Sequence, residues 1–154
     1  MAAMTQAVKQ QLINQCEAYV ADRLQRVREV IERAGHDAQA EQKSAMGDKY
    51  ETGRAAAHLQ QENALVQLAE AEKLSASLRL LRLGNAYEQV VPGCLIQSTR
   101  HRFFIAIPLG KVSVEGDVYF VISPQAPVGK SLLGKRVGDS FVFQGQTEII
   151  TTLA

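Results

Sequence analysis

Two short stretches hold side chains whose types and spacing could do chemistry. The first is Asp48 and Glu51 in "MGDKYETGR", two carboxylates three residues apart. Such a pair of carboxylates is a candidate for chemistry in its own right. The same spacing at the start of a helix is also a capping box, in which Asp48 accepts backbone N–H bonds and Glu51 reaches back to the chain. The two readings are compatible, because a cap also holds a carboxylate still. The second stretch is Gly129-Lys130-Ser131, the ending of a phosphate-binding loop. Such a loop needs a glycine five residues earlier, so that the backbone can fold tightly and aim its amides at phosphates. Pro124 stands there, with a fixed φ and no N–H to give. The loop must also open a long helix, and only a short turn fits before Gly134. The nucleotide-loop reading fails on both counts.

Positive charge surrounds the acid pair. Lys43, Lys49 and Arg54, with His58 one turn on, suit the phosphates of a single-stranded nucleic acid, and Tyr50 offers a ring on which a base can stack. The plainer alternative is a solvated helical surface with ordinary lysines. Arg100, His101 and Arg102 form a second basic cluster, read either as a strand edge blunted by charge or as a partner contact.

Two kinds of segment must position these groups. Before Gly84 there is no proline, and Ala, Gln, Glu, Leu and Arg dominate; after it come all four prolines and all five phenylalanines. In the first half Val8, Leu12, Cys16, Tyr19 or Val20, Leu24, Val27 and Ile31 recur at helical spacing. The polar run "GHDAQAEQKS" interrupts that stripe, with weak helix expected to about Ala45. A second stripe runs through Leu59, Val66, Ala69 and Lys73, with Leu65, Leu68, Leu78 and Leu81 beside it. Each helix is roughly 30 residues, hence about 45 Å long, and neither can bury its stripe alone. Packed antiparallel they form a coiled-coil hairpin with its bend near Met46 to Tyr50. The second half reads in period two: "CLIQST", "RFFIAI", "KVSVEGDVYFVIS", "DSFVFQ" and "TEIITTLA". This predicts five strands in a small, bent antiparallel sheet, with a short helix at Ser131-Leu132-Leu133 ended by Gly134. Val128, Leu132, Leu133 and Val137 are expected to cover the sheet's open face. The fold class is α+β, with a helical hairpin over 1–83 and a sheet domain over 84–154.

The stretch from Val121 to Asp139 carries a resemblance. Ser123 and Pro124, then Gly129, Leu132 and Leu133, Gly134 and Lys135, and finally Val137, Gly138 and Asp139 resemble the closing segment of the bacterial Gre factors, the transcript-cleavage elongation factors. The layout is similar as well: a coiled-coil hairpin joined to a C-terminal domain like the FK506-binding proteins. The resemblance implies that RNA polymerase is the partner and that the finger enters its secondary channel. It further implies that two tip acids in a Gly-Asp-x-x-Glu segment help to hold a Mg²⁺ ion of the polymerase, with the chain carrying no cofactor of its own. Gly47-Asp48-Lys49-Tyr50-Glu51 matches that segment, which makes Asp48 and Glu51 the implied metal-assisting residues and places Lys43, Lys49, Tyr50 and Arg54 near the RNA 3′ end. The family continues Glu-Asn, whereas Thr52 and Gly53 follow here, so a non-cleaving modulator or inhibitor of the polymerase is an alternative. A peptidyl-prolyl isomerase would rest on fold analogy alone, and a coiled-coil adaptor on pairing between copies.

Bulk composition narrows the rest. The chain has 154 residues, 17 basic against 16 acidic, for a net charge of +1. Sequence-specific reading of duplex DNA would require a marked basic excess. Two separated cysteines in apolar contexts do not make a disulfide scaffold. No long apolar run or secretory leader is evident. The expectation is a soluble, cytoplasmic protein, not itself an enzyme and more often monomeric than oligomeric.

Overall fold

The computed structural model describes residues 6–43, 48–84 and 86–154, with the side chains of 37–43, 48–52 and 54 outside that description. In chain order the elements are α1 (Gln6–Lys43), α2 (Asp48–Arg79), β1 (Leu95–Ser98), β2 (Arg102–Ile105), β3 (Gly110–Val114), β4 (Asp117–Ile122), α3 (Pro127–Leu132), β5 (Ser140–Phe143) and β6 (Gln146–Leu153). Contacts divide the chain into one unit of residues 1–18 with 76–154, and another of 19–75. The joint expected at 84 therefore lies inside the first unit. The start of α1 belongs there because Gln6 Nε2 and Lys9 Nζ both donate to Gly84 O, at 2.9 and 2.8 Å.

The 19–75 unit is an antiparallel helix pair. Arg23 lies 3.5 Å from Glu70, while Gly35, further along α1, sits beside Gln61, earlier in α2. The stripe on α1 is as its spacing predicts: Val20 and Val27 are buried, with Leu24 and Ile31 half-buried. α1 continues through Gly35 to Lys43 without a break. On α2 the outcome differs. The buried positions are Ala57, Ala64 and Ala71, spaced by seven, with Gln61 and Leu68 half-buried between them. Leu59, Leu65 and Val66 are instead 58%, 49% and 61% exposed. The reason is steric. Alanine lets a neighbouring helix approach closely and gain contacts along the backbone, so the seam follows the small residues while the larger ones face outward.

The other unit is built on a six-stranded sheet in the order β3-β4-β2-β1-β6-β5, where five strands are expected from the sequence. The run 111–122 folds back on itself at Glu115-Gly116, both at positive φ, and so supplies two strands. The sheet is mixed, since β2 and β4 pair in parallel with Phe103 opposite Phe120. "DVYFVI" is apolar on both faces and takes an interior place, whereas "GKVSV" has exposed Lys111 and Ser113 and takes the edge. That exchange sets β4 beside β2.

One face of the sheet packs Val90, Cys94, Ile96, Phe103, Ile105, Phe141 and Ile150 around Leu132 of α3. On the other, Leu95, Phe104, Tyr119 and Val121 are almost fully buried. Gln11 reaches Glu115 and Gln15 reaches Ser113 O, which sets the first turns of α1 against the β3–β4 hairpin.

The closing segment explains its own residues. Pro127 opens α3, four residues earlier than the helix expected at Ser131. Gly129 is buried against Ser123, where an added Cβ would lie 2.1 Å from the carbonyl oxygen. Gly134 N bonds Val90 O and Gly138 N bonds Ile150 O, at 2.9 and 2.8 Å. Asp139 accepts the Arg136 N–H at 2.8 Å. Leu132 fills the core and Val128 packs beside it, but Leu133 and Val137 are exposed and do not cover the sheet as expected. Gly129-Lys130-Ser131 thus lies within a six-residue helix whose glycine is required by packing.

Candidate functional site

α1 ends at Lys43 and α2 begins at Asp48. Of the bend expected near Met46 to Tyr50, residues 46–47 lie outside the described residues while 48–50 are already helix in α2, and the side chains of Lys43, Asp48, Lys49, Tyr50, Glu51 and Arg54 lie outside that description as well. The backbone from Asp48 is helical, which places Asp48 and Glu51 one turn apart on one face at the helix start. That end of a helix carries partial positive charge and favours carboxylates. His58 is exposed one turn beyond Arg54, and His36 is exposed on α1. Among the described residues no group of three or more His, Cys, Asp or Glu could hold a metal ion.

The second basic cluster is not a charged edge, because β1 and β2 are interior strands. His101 and Arg102 turn inward to acids that sequence spacing does not bring near them, while the Arg100 side chain stays exposed. Glu148 has a fully buried side chain and accepts from Ser98 Oγ at 2.6 Å and from Arg100 N at 3.2 Å. His101 Nδ1 lies 2.6 Å from its other oxygen; a carboxylate only accepts, so that nitrogen carries the hydrogen. The His101 ring packs against Phe143, Phe120 and Phe103, with centroids 4.8, 5.5 and 6.1 Å away. Arg102 pairs with Asp117 at 3.6 Å, and Arg100 with Gln146. One signal was present: strand alternation in "TEIIT" puts Glu148 on the same face as Ile150.

Lys9 is the other buried charge. It is 2% exposed, donates to Gly84 O and to Tyr87 Oη at 2.8 and 2.9 Å, and lies 4.5 Å from the Tyr87 ring centre. Tyr87 Oη also donates to Arg82 O at 2.6 Å and accepts from Gly84 N at 2.8 Å. Burial pulls the Lys9 ammonium down to about 8 from 10.5, against a smaller upward pull from Cys94. Folded protein therefore releases this proton at a pH where unfolded chain still holds it. Stability is expected to rise as pH climbs from about 8 towards 10.5. The gain relative to Lys9→Met is on the order of 3 kcal/mol at most, and the neutral amine keeps hydrogens for both bonds. Urea melts of both proteins across that range check it; parallel stability curves would refute it. The difference cancels the Cys16 thiol, which burial pushes up to about 12, and leaves in it the Cys94 thiol, pushed up by burial to about 11 and coupled to Lys9.

The fold defines a class: a protein with an antiparallel helix pair in one unit and a small mixed sheet capped by a short helix in the other. Residues 102–153, from β2 to the end of β6, match the family model for the C-terminal domain of the transcription elongation factors GreA and GreB. The match spans about a third of the chain and includes the closing segment. Over those residues the chain is similar to the C-terminal domain of the Gre factors. No curated protein matches it. No described helix is long and apolar enough to cross a membrane.

Proposed function

We propose that the chain is a Gre-like transcription elongation factor that binds RNA polymerase, inserts its helix pair into the secondary channel and promotes cleavage of backtracked RNA. The observation that carries this reading is a Gre C-terminal domain in one chain with a helix pair whose connection leads directly into Asp48 and, one turn later, Glu51. Two hard oxygen donors on the first turn of a helix fit Mg²⁺, and these two residues would hold it together with the polymerase. When bound, such an ion activates water towards a phosphodiester. The chain's own part is to keep the two carboxylates a turn apart on a helix, while Lys43, Lys49 and Arg54 draw in the phosphates near the RNA 3′ end and Tyr50 stacks a base. It acts as a cytoplasmic accessory factor, and the isolated chain is expected to show no nuclease activity.

Stalled elongation complexes test this. Wild type should shorten the transcript, and Asp48→Ala with Glu51→Ala should slow that shortening by at least about a hundredfold, the scale of losing a metal's charge stabilisation. If neither protein alters the complex, the polymerase reading fails. A second reading, a modulator that enters without cleaving, is favoured by Gly53, a helical residue in the second turn of α2 that costs about 1 kcal/mol against alanine where stiffness is needed. It predicts a changed elongation rate with unchanged transcript length.

A further inference from the structure

We propose that an internal water is built into the sheet between β2 and β4, where it accepts hydrogen bonds from Tyr119 Oη and Arg102 Nε. The site is independent of the polymerase reading. Both atoms are buried, and among the described residues neither has a hydrogen-bond partner. They are close in space. Arg102 and Tyr119 each stand one residue before the paired Phe103 and Phe120, on strands that run parallel, so their side chains share a face of the sheet. The Arg102 guanidinium carbon lies 5.9 Å from the Tyr119 ring centre, and Tyr119 is 0% exposed. A buried donor without an acceptor forfeits its hydration and gains nothing in return. A core does not ordinarily keep two such donors side by side unless something receives them.

The neighbourhood selects the occupant. An O–H and an N–H donor call for an acceptor. An anion accepts, but the charged neighbours of Tyr119 are Arg102, Asp117 and Glu115, and two carboxylates against one guanidinium already leave the spot negative. A cation suits the carboxylates but would face the hydrogens of both donors. Water is neutral, accepts two hydrogen bonds and has two hydrogens of its own to give to nearby acids. The Arg102–Asp117 contact leaves room for it. At 3.6 Å it is an ion pair but too long for a direct hydrogen bond, and polar groups at such a separation commonly share a water. Gln97, which faces Arg102 across β1 and β2, lines with it a hollow of about 120 Å³. That is several times the roughly 30 Å³ of a water, so solvent has a way to the guanidinium.

The sign of one stability change tests the site. With the water in place, Tyr119→Phe deletes a satisfied hydrogen bond, and urea unfolding of the full chain should show the unfolding constant raised about fivefold. Without it, the exchange deletes an orphaned buried hydroxyl, and the constant should stay level or fall. Arg102→Lys keeps a positive charge towards Asp117 but removes Nε. In that background Tyr119→Phe should change the constant by no more than about twofold, because the water has already lost half of its site. Nuclear magnetic cross-relaxation from water to the Tyr119 ring protons gives a second readout, expected in wild type and lost in the Arg102→Lys protein. A Tyr119→Phe protein at least as stable as wild type, strictly additive changes, or a wild type without the water signal each overturn the proposal. Stabilisation by chloride that Tyr119→Phe abolishes would assign an anion to the spot and overturn it too.

Discussion

Gly129→Ala is expected to destabilise the sheet-bearing unit by about 4 kcal/mol or more. Inside a helix this exchange ordinarily gains about 1 kcal/mol, so the sign alone is diagnostic. The new methyl carbon would lie 2.1 Å from Ser123 O, 3.0 Å from Ser123 C and 3.1 Å from Pro124 Cα. All three are backbone atoms, and no side chain can rotate to make room. Ser123 O is also engaged by Ala126 N at 3.1 Å, in the turn that leads into α3. Relief requires α3 to lift from the sheet, which would draw Leu132, 0% exposed, out of the core. Lys130→Ala, one residue on and exposed, should change stability by no more than about 0.5 kcal/mol. Chemical denaturation of the three proteins decides the matter. A Gly129→Ala protein as stable as wild type would show that the close approach is not there.

The second large effect lies at Glu148. Glu148→Ala is expected to cost about 3–5 kcal/mol, because the Ser98 hydroxyl, the Arg100 amide and His101 Nδ1 all lose a buried acceptor at once. His101→Ala should cost a similar amount, by leaving the carboxylate without its closest ring partner and by opening space among Phe103, Phe120 and Phe143. The two residues act as one unit, so the costs should not add. His101→Phe with Glu148→Leu replaces the polar pair by groups of similar volume in an aromatic surround, and such exchanges are often close to neutral. The double variant should therefore be more stable than Glu148→Ala. Urea unfolding of the cycle measures the coupling, and strictly additive losses would refute the shared role. The physical function of Glu148 is to fasten the turn between β1 and β2 to β6, where the register shifts between Gln97 and Ser98.

Much of this protein is legible from local order alone. The change from period 3.6 to period two marks helix from sheet. The α1 stripe through Val8, Leu12, Cys16, Val20 and Val27 is buried as its spacing requires, because a helix's periodicity is a property of the chain itself. The closing segment is equally local: a proline where a phosphate loop needs glycine is enough to reject that loop, and the spacing of Gly129, Leu132, Gly134 and Gly138 carries the family resemblance. The acid pair and its place at the start of α2 are likewise readable in one dimension.

What tertiary structure alone decides is which of two competing options wins. The larger side chains of α2 form a plausible seam, but close approach favours the alanines, and approach distance depends on the partner helix. The order of β3 and β4 depends on which strand is apolar on both faces once a core exists. The buried ions Lys9 and Glu148 are chosen by partners 75 and 47 residues distant, Gly84 and His101. Such groups are tolerated in a core only where the fold supplies hydrogen bonds, and no local pattern encodes a partner that far along the chain.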